Sequence, residues 1–244
     1  MTARFDGRRI AVIGAGGGIG RAVADSLAGQ GASVFALDIA GIDGPFPSGV
    51  TGRGIDVTSE QSVASVVAAL YEEDDAPIDL VNSAGIVEDD VPAEDMPMEL
   101  YDRVMGVNLR GVYLACRGFG KELLQRGGGA IVNIASMSGN AIVNSPQRQS
   151  VYNTSKAGVS ALTRSLAVEW GPRGVRVNAV SPGYVDTPLN SLKQHMHAGW
   201  IAGTVAGRFA RVDEVAGAVG YLLSDEAAYC HGTELLIDGG YSLR

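Results

Sequence analysis

The sequence predicts an α/β protein: a seven-stranded parallel sheet, doubly wound by helices, in a single domain over residues 1–244. Three observations predict it. Short apolar runs alternate with helical stretches along the whole chain, as expected when crossover helices cover both faces of a parallel sheet. A length of 244 residues supports one large buried core. A composition that is 46% hydrophobic and 19% charged excludes disordered and fibrous classes.

The strand candidates are residues 10–14, 33–38, 54–57, 78–82, 130–135, 175–180 and 234–238. Helices are expected over 19–29, 60–73, 99–125, 151–170 and 213–223. Residues 41–54 are too rich in Gly and Pro for a crossover helix and read as a loop or one helical turn. Residues 188–206 read as a mobile lid on the binding edge. Neither a repeat nor a linker divides the chain. With right-handed crossovers, ligands are expected beyond the carboxyl ends of the strands.

The net charge of −8 argues against a nucleic-acid partner. No apolar run reaches the ~18–20 residues of a membrane span. Residues 1–9 have no hydrophobic signal core, so a cytoplasmic protein is expected. Cys116 and Cys230 fit no metal spacing, and a reducing cytoplasm disfavours a disulfide between them. His195 and His197 lie two apart with no third ligand in view, so no metal site is expected.

The run Ile13-Gly14-Ala15-Gly16-Gly17-Gly18-Ile19-Gly20 joins a strand to a helix. Glycines there let backbone approach a pyrophosphate, and the helix N-terminus offers free N–H groups. By itself the run also suits a turn that merely packs a helix on a strand. Asp38 ends the second strand, where a carboxylate can accept bonds from ribose hydroxyls and repel a 2′-phosphate. NAD is therefore favoured over NADP. The alternative is that Asp38 only caps its turn.

Tyr152 and Lys156 are four apart, so on a helix they share a face. A free phenol titrates near pH 10, too high for a base at neutral pH. One positive charge ~4–5 Å away, at an effective dielectric of ~20, favours phenolate by roughly 3–4 kcal/mol, about 2–3 pKa units. Such a phenol could work as a general acid–base. The pair alone is common on ordinary helices. Its setting gives it weight: the run from Ile131 to Ser136 ends a strand in a hydroxyl, and that from Arg176 to Gly183 ends another strand in a turn.

Gly14, Gly18 and Gly20, the Asn82-Ser83-Ala84-Gly85 turn, Ser136, and the Tyr152/Lys156 pair occur in one order from about residue 8 to residue 241. In this the chain resembles the short-chain dehydrogenase/reductase family. It departs from the family pattern in Ile13, where a Thr is usual, and in Ser83, where a second Asn is usual.

The resemblance implies a Rossmann fold and hydride transfer between NAD and a secondary alcohol or ketone. It implies that Tyr152 exchanges a proton with the substrate oxygen, that Ser136 orients that oxygen, and that Lys156 lowers the phenol pKa and bonds the nicotinamide ribose. It makes Asn108 a helix-distorting residue that holds a water for proton relay, although an Asn bonded locally within its helix has the same look. Ile19 belongs to the cofactor loop; Asp56 and Val57 would face the adenine. Asn82, Ala84 and Gly85 would face the cofactor backbone, and Pro182, Gly183, Val185 and Thr187 would grip the carboxamide. A homotetramer follows by the same resemblance, with the helices over 99–125 and 151–170 and the C-terminal strand at its interfaces.

Ser136 and Tyr152 are sixteen residues apart, longer than in many members, and the loop between them resembles the polyol and ketosugar branch. Ser138, Asn144 and Gln147, with Tyr184 beyond, are candidate substrate contacts. The stretch at Asn144-Ser145-Pro146 also reads as a plain turn. Two other functions compete. A 3-oxoacyl-thioester reductase would want NADPH and a basic patch for its carrier, and Asp38 and the acidic balance count against both. A catalytically silent dinucleotide sensor would have no need of a poised phenol.

Overall fold

The computed structural model describes residues 4–39, 42, 46–72, 74–141, 147–191 and 193–244. Its sheet has strands β1 (Arg9–Ile13), β2 (Ser33–Asp38), β3 (Val50–Gly54), β4 (Ile78–Asn82), β5 (Gly129–Ile134), β6 (Val175–Pro182) and β7 (Glu234–Ile237). They run parallel in the order β3-β2-β1-β4-β5-β6-β7. The expected doubly wound Rossmann sheet is therefore present, and its strand order reverses between β1 and β4.

The helices are α1 (Gly18–Gly29), α2 (Glu60–Glu72), α3 (Met98–Met105), α4 (Val112–Gln125), α5 (Met137–Asn140), α6 (Ser150–Trp170), α7 (Pro188–Ser191), α8 (His197–Gly203) and α9 (Val212–Leu223). Among the described residues no helix is long and apolar enough to cross a membrane.

Alternation along the buried strands divides the core in two. In β1, Ile10 and Val12 pack with Val23 and Leu27 of α1 and Val215 and Val219 of α9. Ala11 and Ile13 face the other way, into a layer built from Val63 and Leu70 of α2, Phe119 and Leu123 of α4, and Val159 and Trp170 of α6. Strands covered on both faces need no polar face, so β1 and β4 are buried at every position.

Two expectations are corrected. The strand expected over 54–57 is instead Val50–Gly54, inside the stretch read as a loop. This edge strand is largely exposed and is defined by backbone pairing with β2, so it carries no apolar pattern. The apolar residues that follow form a turn in which Ile55 is buried and Asp56 Oδ1 accepts from Thr58 N at 2.9 Å. The long helix expected over 99–125 is broken: Gly106–Gly111 is a π-turn between α3 and α4.

Candidate active site

The carboxyl ends of β1 to β6 each contribute to one of two cavities. After β1 the chain turns through Gly14 into α1. A Cβ on Gly14 (φ +85°) would lie 2.5 Å from Ala84 N, and one on Gly20 would lie 2.1 Å from Gly14 O. These two glycines let the loop, the first turn of α1 and the end of β4 nest together. The N-cap residue Gly17 supplies no side-chain cap, and no acid sits in the first turn of α1. The open N–H groups of that turn border a groove of about 430 Å³.

The groove is lined by Gly14, Gly18 and Ile19 after β1, Asp38 at the end of β2, Asp56 and Val57 after β3, and Ala84 and Gly85 after β4. Asp38 is drawn to the glycine loop, its Oδ2 accepting from Gly16 N at 2.9 Å and its Oδ1 from Ile39 N at 2.7 Å. An uncapped helix N-terminus with a carboxylate beside the glycine loop suits a dinucleotide: amides for a pyrophosphate, an acceptor for ribose hydroxyls.

Two residues expected at the cofactor lie elsewhere. Asn82 is buried in the sheet, where its Nδ2 donates to Asn133 Oδ1 at 2.8 Å and to Cys116 Sγ at 3.4 Å. An Asn at a strand's last position points to one face or the other, and here it turns into the core. Gly20 lines neither cavity and serves by close packing.

The second cavity, about 140 Å³, shares Ile19, Ser83, Gly85, Thr187 and Leu189 with the groove. Ser136, Tyr152 and Lys156 all line it. Ser136 follows β5 in extended geometry (φ −168°) and caps α5, its Oγ accepting from Ser138 N at 3.1 Å. One turn of α6 carries Tyr152 and Lys156 to the same side, with Lys156 Nζ 5.8 Å from the Tyr152 ring centre. Lys156 is buried and donates to Ile134 O at 2.8 Å.

The electrostatics of the free chain correct the sequence argument. Burial pushes the Tyr152 phenol above its ordinary value; the Ser136 hydroxyl pulls it back and the Glu88 carboxylate pushes it further up. Lys156 is itself brought down to about 8 by burial. Dehydration of both groups outweighs the attraction between phenolate and ammonium, which the sequence argument took to dominate.

Asn108 sits in the π-turn, fully buried. Its Oδ1 accepts from Ile86 N at 2.9 Å, and its Nδ2 donates to Ile86 O at 2.8 Å and Ser155 Oγ at 3.1 Å. A Cβ on Gly85 would come within 3.4 Å of Lys156 Nζ and 3.5 Å of Asn108 Oδ1, so the distorted helix reaches the Lys156 end of the cavity.

At the end of β6 and just beyond it, Pro182, Gly183, Val185 and Thr187 line the second cavity. Gly183 N donates to Ile237 O at 3.0 Å, and Val185 O accepts from Asn190 Nδ2 at 2.7 Å. Of the candidate substrate contacts, Ser138, Gln147 and Tyr184 line this cavity, whereas Asn144 lies outside the described residues. The Tyr184 ring stacks on Trp200 of α8 at 4.2 Å and meets Tyr241 edge-on at 5.0 Å.

His197 Nε2 is 2.9 Å from Asn190 O, and its ring packs edge-on against Phe209. Cys116 is free and buried, its thiol pushed up to about 12, and Cys230 is also free.

Two residues here escaped the sequence reading. Glu88 is fully buried, and its carboxylate accepts from Val151 N at 3.0 Å and Tyr152 N at 3.1 Å, capping α6. Lys193, between α7 and α8, lines the cavity. Nothing local in the sequence marks either, because their partners are set by the fold.

A family model described as enoyl-(acyl carrier protein) reductase matches residues 14–242. The chain is 41% identical to a galactitol 2-dehydrogenase (L-tagatose-forming) of Cereibacter sphaeroides, over 98% of this chain and 97% of that one. It is 36% identical to an NADH-dependent L-xylulose reductase of Ambrosiozyma monospora, over 99% and 97%. Among solved structures it resembles a short-chain type dehydrogenase/reductase from Mycobacterium marinum, with a TM-score of 0.92, 35% identity, and coverage of 100% and 98%.

Proposed function

The chain belongs to the short-chain dehydrogenase/reductase family, and from that premise we propose that it transfers a hydride between NAD and a polyol or related secondary alcohol, reversibly to the ketone. The observation that carries this reading is the convergence of Ser136, Tyr152 and Lys156 on one cavity that opens into the glycine groove. The relatives named for galactitol and L-xylulose support the polyol class. Asp38, with its carboxylate beside the glycine loop, supports NAD, as does the relative named NADH-dependent.

When bound, oxidised nicotinamide supplies the hydride acceptor and a positive charge beside the phenol. Tyr152 Oη then takes the substrate's hydroxyl proton while Ser136 Oγ holds the same oxygen. Lys156, anchored on Ile134 O, keeps further N–H donors for a ribose hydroxyl. Asn108, fixed on Ile86, holds the π-turn in place beside Lys156, where a water can carry the proton outward. Residues 188–206 act as the lid, with Tyr184 and Trp200 stacked at its base.

We assign the active form to a cytoplasmic homotetramer. A groove between α3, α4 and α6, lined by Met105, Leu109, Tyr113 and Leu162 with Asp102 and Arg110 beside them, supports helix pairing between copies, and light scattering tests it.

Measuring NAD and NADP reduction across alditols and cyclic or aliphatic secondary alcohols tests the function. NADH formation with alditols is expected. Binding of NAD without turnover of any alcohol would favour a sensor, and a strong NADP preference would overturn the role given to Asp38.

A further inference from the structure

We propose that the substrate carries a carboxylate, and that Lys193 on the lid receives it. The inference rests on the oxidoreductase reading above and narrows its substrate to a hydroxy or polyhydroxy acid.

Three buried side-chain polar atoms among the described residues have no hydrogen-bond partner: Gln147 Oε1, Tyr184 Oη and Lys193 Nζ. All three belong to residues lining the one cavity that contains Ser136 and Tyr152. Elsewhere the described interior satisfies its polar side chains, so the unmet demand is concentrated where a substrate would sit. A buried ammonium without a partner is costly, and the cost is relieved when an anion arrives with the ligand.

The chain's own carboxylates do not fill this role. Asp90, whose charge interacts with Lys193, is committed to Arg148, accepting from its N at 2.7 Å and its Nη2 at 2.8 Å. Glu88 is spent on the N-terminus of α6. The described cavity lining contains two lysines and neither Asp nor Glu. In a chain of net charge −8, a lining with two ammonium groups and no carboxylate of its own is a departure from the chain's balance.

Lys193 is also well held. Its N donates to Asn190 O at 3.0 Å, and Asn190 is tied through its side chain to Val185 O at 2.7 Å. These bonds hold the backbone of Lys193 in register with the loop that faces the nicotinamide side, and its Nζ is buried at the cavity. At roughly 10–15 Å³ per water-sized group, a cavity of about 140 Å³ holds on the order of ten such groups, shared between the substrate and the nicotinamide end that Pro182, Gly183, Val185 and Thr187 would grip. A small hydroxy acid fits that size: its carboxylate accepts from Lys193 and Tyr184, and a hydroxyl donates to Gln147.

The test compares kcat/KM for five- and six-carbon alditols with the matching aldonates, in the parent and in Lys193→Met and Lys193→Arg. The parent should prefer the aldonates. Lys193→Met should cut the aldonate-to-alditol ratio by about 10- to 100-fold, through KM, as expected for a lost hydrogen bond to a charged group. Lys193→Arg should retain most of the ratio. Equal ratios in parent and Lys193→Met, or turnover of alditols alone, would overturn the proposal and leave the oxidoreductase reading standing. No turnover with either series would overturn that reading and this one with it.

Discussion

Glu88→Gln tests how the fold controls the candidate base. The Glu88 carboxylate caps α6 through Val151 N and Tyr152 N at 3.0 and 3.1 Å. A side-chain cap is worth about 0.5–2 kcal/mol, and a negative charge at a helix N-terminus a further ~0.3–1 kcal/mol. Glutamine keeps one acceptor oxygen and loses the charge, so the expected loss is about 1–2 kcal/mol. For a chain of this length that lowers Tm by roughly 2–8 °C. The same change acts on Tyr152, whose phenol is pushed up in part by the Glu88 charge. Without that charge the phenol titrates lower. Dehydrogenation uses the phenolate, so the rising limb of the pH profile of kcat/KM should move to lower pH. Thermal unfolding and that profile are the assays. A limb that stays in place or moves to higher pH would refute the electrostatic link, and an unchanged Tm would refute the cap.

Asp38→Asn should raise KM for NAD by roughly 10- to 100-fold, the cost of a weakened charge-assisted bond, and raise kcat/KM for NADP; steady-state kinetics with both cofactors checks it. Lys156→Met should abolish turnover yet raise stability at neutral pH. Lys156 titrates at about 8 when folded against 10.5 unfolded, so the unfolded state binds more protons between those values and stability rises with pH across them. The variant's Tm advantage should accordingly be largest below pH 8 and vanish above about pH 10.5. Gly20→Ala places a methyl group 2.1 Å from Gly14 O and should abolish dinucleotide binding or folding, read by cofactor fluorescence and circular dichroism.

What could be read from the sequence is what depends on near neighbours. The glycine run announced a strand-to-helix turn because Gly14 and Gly20 pack backbone on backbone within one loop. The spacing of Tyr152 and Lys156 placed them on one face of α6, and the resemblance to a known family singled out Asn108, which sits in a π-turn. What escaped depends on distant partners or on burial. Glu88 caps a helix that begins more than sixty residues later. Asn82 occupies the expected place at the end of β4 yet turns to Asn133 on the neighbouring strand. The edge strand β3 is exposed and held by backbone bonds, so its side chains carry little pattern. The direction of the Tyr152 shift required knowing how deeply the phenol is buried, and no spacing in the sequence reports that.

The central claim is that Tyr152 exchanges the proton that accompanies hydride transfer. Single-turnover formation of NADH by Tyr152→Phe, alongside NAD binding measured by fluorescence, tests it most directly. The account predicts NAD binding within a few-fold of the parent and NADH formation slowed by at least about 100-fold, the contribution of a positioned general base. NADH formation at the parental rate in that variant would contradict it.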